Sequence, residues 1–255
     1  MASQFKGITF DVDGVLEYHG RPLPGAVETL DQLRQLGYVI RFLTNSTLKS
    51  RRDAAERLRQ HGFHIGEDEL ITASFATAAY LRQLNPRSCW IMLEGSGLEE
   101  FTEFNQTLDD PEYLVIGDNR SRFDFAHLNQ ALRLLKGGAK LIGMLAELID
   151  YSQGGLELNV GSWVGMLERA SGVQATYIGK PHPYGFELTL QSMGLDRRQV
   201  VVVGDQLGTD ILGARRLGLA SILVRTGEFE LRQPNPGDQP DFIVDSIAEI
   251  LGILA

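Results

Sequence analysis

The stretch "QVVVVGDQLGTD", residues 199 to 210, constrains the fold more than any other part of the chain. Four successive valines, Val200 to Val203, suit an extended backbone, because a side chain branched at Cβ is crowded in a helix. A strand apolar on both faces must be covered on both, which is the situation of a central strand in a parallel sheet. Polar residues begin only where the valines stop, at Gly204 and Asp205.

A parallel strand needs neighbours and crossover helices, and the chain supplies both. "GITF" (7–10) and "YVIRFLT" (38–44) read as strands, and "PGAVETLDQLRQLG" (24–37) and "SRRDAAERLRQHG" (50–62) as amphipathic helices stopped by Gly37 and Gly62. "LITAS" then leads into the helical "FATAAYLRQL". Past the middle, "YGFELTLQSMG" and "TDILGARRLG" read as helices, "ASILVR" and "DFIV" as strands, and "SIAEILGIL" closes the chain. Strand alternating with helix predicts an α/β, doubly wound parallel sheet.

The middle forms an α/β unit of its own. "CWIML", "YLVIGD", "KLIGML" and "LELNV" read as strands, with "FDFAHLNQALRLLKGG" and "SWVGMLERASG" as helices. The expected organisation is a discontinuous core, 1–82 and 179–255, interrupted by an α/β domain over 83–178. With 255 residues and 43% hydrophobic content, the chain can support one large domain or two modest ones.

Bulk properties narrow the partners. The net charge is -9 and no Lys/Arg-rich run occurs, which argues against nucleic acid and against a membrane surface. No apolar run reaches the roughly 18 residues of a membrane span. The start, "MASQFKGITFDVDG", lacks the pattern of a secretory signal. The single cysteine, Cys89, has no second thiol to pair with, fits a reducing cytoplasm, and reads as a small core residue in "SCWIML".

Four polar clusters follow strand-like runs. The first is Asp11-Val12-Asp13-Gly14, the second Thr44-Asn45-Ser46, the third Gly179-Lys180-Pro181-His182-Pro183, and the fourth Gly204 to Asp210. Each has an ordinary reading. Aspartates accept turn N–H bonds, and Thr, Asn and Ser cap helices. Lys180 could be a solvated surface residue, and His182 reads as structural or merely exposed. Together they say more. Ligands of an open parallel sheet bind beyond the carboxyl ends of its strands. Four carboxylates gathered there would repel one another, which a hard divalent cation relieves. A lysine with hydroxyls and turn N–H groups is what a phosphate dianion needs.

In order and spacing, these clusters resemble the haloacid dehalogenase (HAD) superfamily of phosphohydrolases, through D-x-D-G, then T-N, then G-K-P, then G-D-x-x-x-T-D. The long insertion, with "FLTNST", "VIGDNRSRFDF" and "GDQLGTDILGARRLGL", is similar to the NagD-like branch, subfamily IIA. That resemblance implies a Rossmann-like core with an inserted cap over 83–178. It implies a Mg²⁺-dependent phosphomonoesterase acting on a small phosphorylated metabolite. Asp11 would be the nucleophile, and Asp13 the general acid and then base, its backbone carbonyl also meeting the metal. Asp11 and Asp205 would give carboxylate ligands, with Asp210 in or near the second shell of the ion. Gly14, Thr44, Asn45 and Lys180 would hold the phosphate. A homo-oligomer built through the cap and a cytoplasmic location also belong to this expectation.

The chain departs from the branch after "AKLIG", where members commonly carry a T-N-x-D-like segment and this sequence has Met144-Leu145-Ala146-Glu147-Leu148. Glu147 is one candidate stand-in for the missing polar pair, and strand packing is the favoured reading of the segment. Substrates of relatives, whether nucleotides, sugar phosphates or pyridoxal phosphate, therefore do not transfer. Two alternatives remain: a receiver-type phospho-accepting signalling domain, and a catalytically silent binding protein of the same fold. A receiver is shorter, carries no insertion and lacks a counterpart of Asp13. A silent relative usually lacks one of Asp11, Asp13, Lys180 or Asp205, and all four are present.

Overall fold

The computed structural model describes residues 4–151, 155–229 and 239–254. In chain order its two main sheets are built from β1 (Gly7–Phe10), β2 (Val39–Thr44), β3 (Leu70–Thr72), β4 (Cys89–Met92), β5 (Tyr113–Ile116), β6 (Lys140–Gly143), β7 (Ala175–Tyr177), β8 (Val200–Gly204), β9 (Ala220–Val224) and β10 (Phe242–Val244). The helices are α1 (Ala26–Gln35), α2 (Arg51–Gln60), α3 (Ala73–Leu84), α4 (Phe125–Lys136), α5 (Val160–Ser171), α6 (Pro183–Met193), α7 (Leu212–Arg216) and α8 (Ile250–Leu254).

The chain divides into two compact units. One comprises Met1–Thr44, Ala54–Ile71 and Lys180–Ala255, and the other Asn45–Asp53 and Thr72–Gly179. The second thus takes in 45–53 and 72–82 beside the insertion expected over 83–178.

The first unit is built on a six-stranded sheet of order β10-β9-β8-β1-β2-β3. The valine strand β8 lies between β1 and β9, parallel to both, and all five of its residues are buried. Burying each valine contributes roughly 1.5–3 kcal/mol, so this run alone ties the sheet firmly into the core. Helix α1 buries Ala26, Leu30 and Leu33, spaced to share one face, and α2 buries Ala54, Ala55 and Leu58. These side chains meet Ile8, Phe10, Phe42, Val201 and Val203 in one apolar core.

The second unit has a four-stranded parallel sheet of order β7-β6-β5-β4, with α3, α4 and α5 in its chain segments. One expected strand is different here. "LELNV" provides only the two-residue ladder Glu157–Leu158, antiparallel to Ile149–Asp150. The alternation of Leu156, Leu158 and Val160 imitates a strand, but Asn159 intervenes as a helix cap. Its side chain accepts the Val160 N–H at 2.7 Å, and α5 starts there.

A second difference concerns Lys180. The strand before it, β7, pairs with β6 in the second unit's sheet, not with the core sheet. Lys180 therefore arrives from the connection between the units, beside the cis Lys180-Pro181 peptide, and not from a core strand end.

Candidate active site

Strand β1 pairs with β8 through Phe10 and Val203, and the ladder runs one residue further. The Asp11 N–H donates to the Val203 carbonyl at 2.8 Å, which fixes Asp11 at the carboxyl edge of the sheet. Its Oδ1 accepts the Val12 N–H at 2.7 Å. From β8 the chain passes through Asp205 into one turn of π-helix, Leu207–Ile211, which carries Asp210. Such turns widen a helix locally and recur at functional sites. Asp210 Oδ2 accepts from the Gln206 N–H and the Thr209 hydroxyl, both at 3.3 Å.

Asp11, Asp205 and Asp210 are all buried, and each offers a carboxylate oxygen within 4.8 Å of the others. Lys180, also buried, sets its Nζ 2.7 Å from Asp11 Oδ1 and 2.7 Å from Asp210 Oδ1. Three carboxylates against one ammonium leave a double negative charge when all are ionised. Asp205 Oδ1 is buried and, among the described residues, has no hydrogen-bond partner, while Oδ2 accepts the Glu228 N–H at 2.7 Å. An orphaned buried carboxylate oxygen in an all-oxygen, doubly negative cluster fits a hard divalent cation.

The electrostatics follow from that crowding. Burial, then repulsion from Asp210, pushes the Asp11 carboxyl well above its usual range despite Lys180. Burial, then Asp11 and Asp210, does the same to Asp205. Burial alone would lower Lys180, but Asp11 and Asp210 outweigh it and carry the ammonium upward.

The other expected residues separate. Asp13 has 55% of its side chain open, yet the packed protein around it still pushes its carboxyl up, against the pull of Arg57. Gly14 lies against Asp205. At φ +87°, its added Cβ would fall 2.2 Å from Asp205 Oδ2, so the glycine is required by the aspartate packed on it. Thr44 is buried at the end of β2, two residues beyond Phe42, the neighbour of Phe10. Asn45 opens the first segment of the second unit, and within that unit its Nδ2 donates to Glu147 Oε2 at 2.7 Å. His182 caps α6, its Nδ1 accepting the Tyr184 N–H at 3.5 Å.

Similarity to known proteins is consistent over the chain. Residues 8–106 match the family model of haloacid dehalogenase-like hydrolases, and 177–250 match a second, HAD-hydrolase-like model. The phospholysine phosphohistidine inorganic pyrophosphate phosphatase of Bos taurus is 32% identical over 257 residues, spanning 98% of this chain and 94% of that protein. The chain belongs to the haloacid dehalogenase-like hydrolases. Among solved structures of this family, p-nitrophenyl phosphatase from Archaeoglobus fulgidus superposes with a TM-score of 0.91 at 30% identity, covering 100% of both chains. NagD from E. coli K-12 gives 0.87 at 28% identity over 98% of each chain. The chain is thus a NagD-like HAD enzyme of the phosphatase type. No helix among the described residues is long and apolar enough to cross a membrane.

Two groups beside the HAD carboxylates are not apparent from the sequence motifs. After β9, the Thr226 hydroxyl donates to the Gly14 carbonyl at 2.5 Å, and the Glu228 N–H reaches Asp205. Between them Gly227, at φ +61°, passes so close that its Cβ would fall 2.3 Å from both Asp205 Oδ2 and the Gly14 Cα. The second group is Glu17 with Arg57 and His61, beside Asp13. A T-G pair just after a predicted strand could have flagged the first group. No local signal marks the second.

Proposed function

We propose that this HAD enzyme is a Mg²⁺-dependent phosphomonoesterase that hydrolyses a small phosphorylated metabolite through an aspartyl-phosphate. The observation that carries this reading is the gathering of Asp11, Asp205 and Asp210, two of them paired with Lys180, with one buried Asp205 oxygen that has no hydrogen-bond partner among the described residues.

Asp11, Asp205 and the Asp13 carbonyl would hold the ion, with Asp210 in contact with it or one ligand removed. When bound, Mg²⁺ neutralises charge on the phosphoryl oxygens and on the carboxylates. Asp11 attacks phosphorus, a new P–O bond forms to its carboxylate, and the bond to the leaving oxygen breaks. Asp13 gives that oxygen a proton, so the alcohol departs neutral. Asp13 then takes a proton from water. The oxygen of that water attacks phosphorus, the bond to Asp11 breaks, and inorganic phosphate is released. Lys180 balances Asp11 and the transferring group, while Gly14, Thr44 and Asn45 hold its oxygens. Positioning and charge compensation suffice for phosphoryl transfer.

In this reading residues 83–178 act as the cap, and Glu147, bonded to Asn45, stands where the branch carries its polar segment. The cap also bears exposed Phe125, Leu148, Leu156 and Leu158, which a second copy of the chain would cover. Sedimentation tests that assembly. The single buried cysteine accords with a reducing cytoplasm.

The deciding experiment is a screen of phosphorylated metabolites and p-nitrophenyl phosphate with Mg²⁺ and with chelator, run beside Asp11→Asn. Mg²⁺-dependent release of phosphate by the wild type and none by the variant is expected. Comparable turnover by a folded Asp11→Asn would overturn the nucleophile assignment.

A further inference from the structure

Glu17 is fully buried three residues beyond Gly14, and its carbonyl accepts the Gly14 N–H at 2.7 Å. A buried carboxylate is costly unless cations or donors meet it. Arg57 Nη2 stands 2.5 Å from Glu17 Oε1, and His61 Nδ1 stands 2.8 Å from Glu17 Oε2. Arg57 is on α2 and His61 follows its end, four residues on and so on the same face. The same Nη2 of Arg57 lies 3.9 Å from Asp13 Oδ1. One guanidinium is therefore shared between a buried anchor and the exposed carboxylate of Asp13.

None of these three side chains belongs to the metal cluster or to the phosphate-binding residues. An arginine free to move would lose about 2 kcal/mol of rotamer entropy on fixing a neighbour. Glu17, whose other oxygen meets His61, has fixed it already.

We propose that Arg57, braced by Glu17, which His61 in turn holds, is a positioning residue that keeps the Asp13 carboxylate in the orientation from which it exchanges protons with the reacting oxygens. This rests on the aspartyl-phosphate reading above. Arg57 touches neither phosphorus nor the ion in that scheme and acts through Asp13 alone.

The test separates positioning from mere stability. Arg57→Met by itself would leave Glu17 buried and poorly paired, so the informative variant is Glu17→Leu/Arg57→Met, which removes both charges together. p-Nitrophenolate leaves without a proton, so misplacing Asp13 should show only in the water step. Stopped-flow release of p-nitrophenolate with Mg²⁺ should then give a burst rate within about threefold of wild type and a steady-state rate about tenfold or more slower, with KM reduced as well. Arg57→Lys, which keeps the cation, should stay within about fivefold of the wild-type steady state. A folded double variant whose steady state stays within about twofold of wild type would overturn the proposal, as would equal slowing of both phases. Wild-type protein without any Mg²⁺-dependent hydrolysis of p-nitrophenyl phosphate would sink the phosphatase reading itself, a result distinct from either.

Discussion

Gly227 stands so close to Asp205 that one methyl group on its Cα would fall 2.3 Å from the Asp205 Oδ2. Its φ of +61° adds a strain that any L side chain would share. Gly227→Ala should therefore cost about 1–3 kcal/mol of stability. It should also displace Asp205, so the Mg²⁺ concentration needed for half-maximal activity should rise. Melting curves and a Mg²⁺ titration read the two effects. An unchanged metal requirement would mean that Asp205 does not hold the ion.

Stability should depend on pH and on metal together. Asp11 and Asp205 are both held above the usual carboxylate range, first by burial and then by neighbouring carboxylates. A carboxyl raised in the folded state supports the fold while protonated, and that support is lost as pH climbs through its folded value. The metal-free protein should thus lose stability from about pH 4 upward toward neutrality. Lys180 is raised, so its contribution persists through this window and is lost only in strong alkali. Calorimetry with Mg²⁺ and with chelator should show a Tm difference that widens from about pH 5 to about pH 8. A constant difference would contradict the site.

Asp13→Asn should leave the fold intact, because much of the side chain is open. With a labelled substrate that has a good leaving group, the variant should accumulate phosphoryl-enzyme and turn over about 10²–10⁴-fold more slowly. Acid-quenched protein carrying no label, at a steady-state rate like that of wild type, would remove Asp13 from the acid–base role.

Cys89 should behave as core. It is fully buried, and burial pushes its thiol up to about 11. An aromatic disulfide reagent at neutral pH should label it only as fast as the protein unfolds. Labelling at the rate of a free thiol would place Cys89 at the surface.

What could be read in the sequence was what has a local signature. The valine run announced a central strand, and D-x-D-G, T-N, G-K-P and G-D-x-x-x-T-D marked chain positions. Most strands and helices followed from apolar spacing, but "TDILGARRLG" starts in a π turn with α-helix only over Leu212–Arg216, and Leu156, Leu158 and Val160 imitated a strand around the cap residue Asn159. What could not be read depends on residues that meet only in space. Glu17 and Arg57 are 40 positions apart, and each reads as an ordinary surface charge until the fold closes. The packing of Gly227 on Asp205 needs the loop after β9 to fold back across the end of β8. The membership of β7 in the second sheet is likewise a matter of pairing, since its sequence would suit either.

The sheet order has a consequence for synthesis. β1 is flanked by β2 on one side and by β8 on the other, and β8 lies about 190 residues later in the chain. On the ribosome, the first unit therefore waits with one edge of β1 open until Val200 to Gly204 emerge. All four strands of the second unit's sheet are complete by Tyr177 and can pair earlier. The insertion would then be a nascent chain's first folded body, and the exposed edge of β1 the stretch that a holding chaperone has most reason to cover.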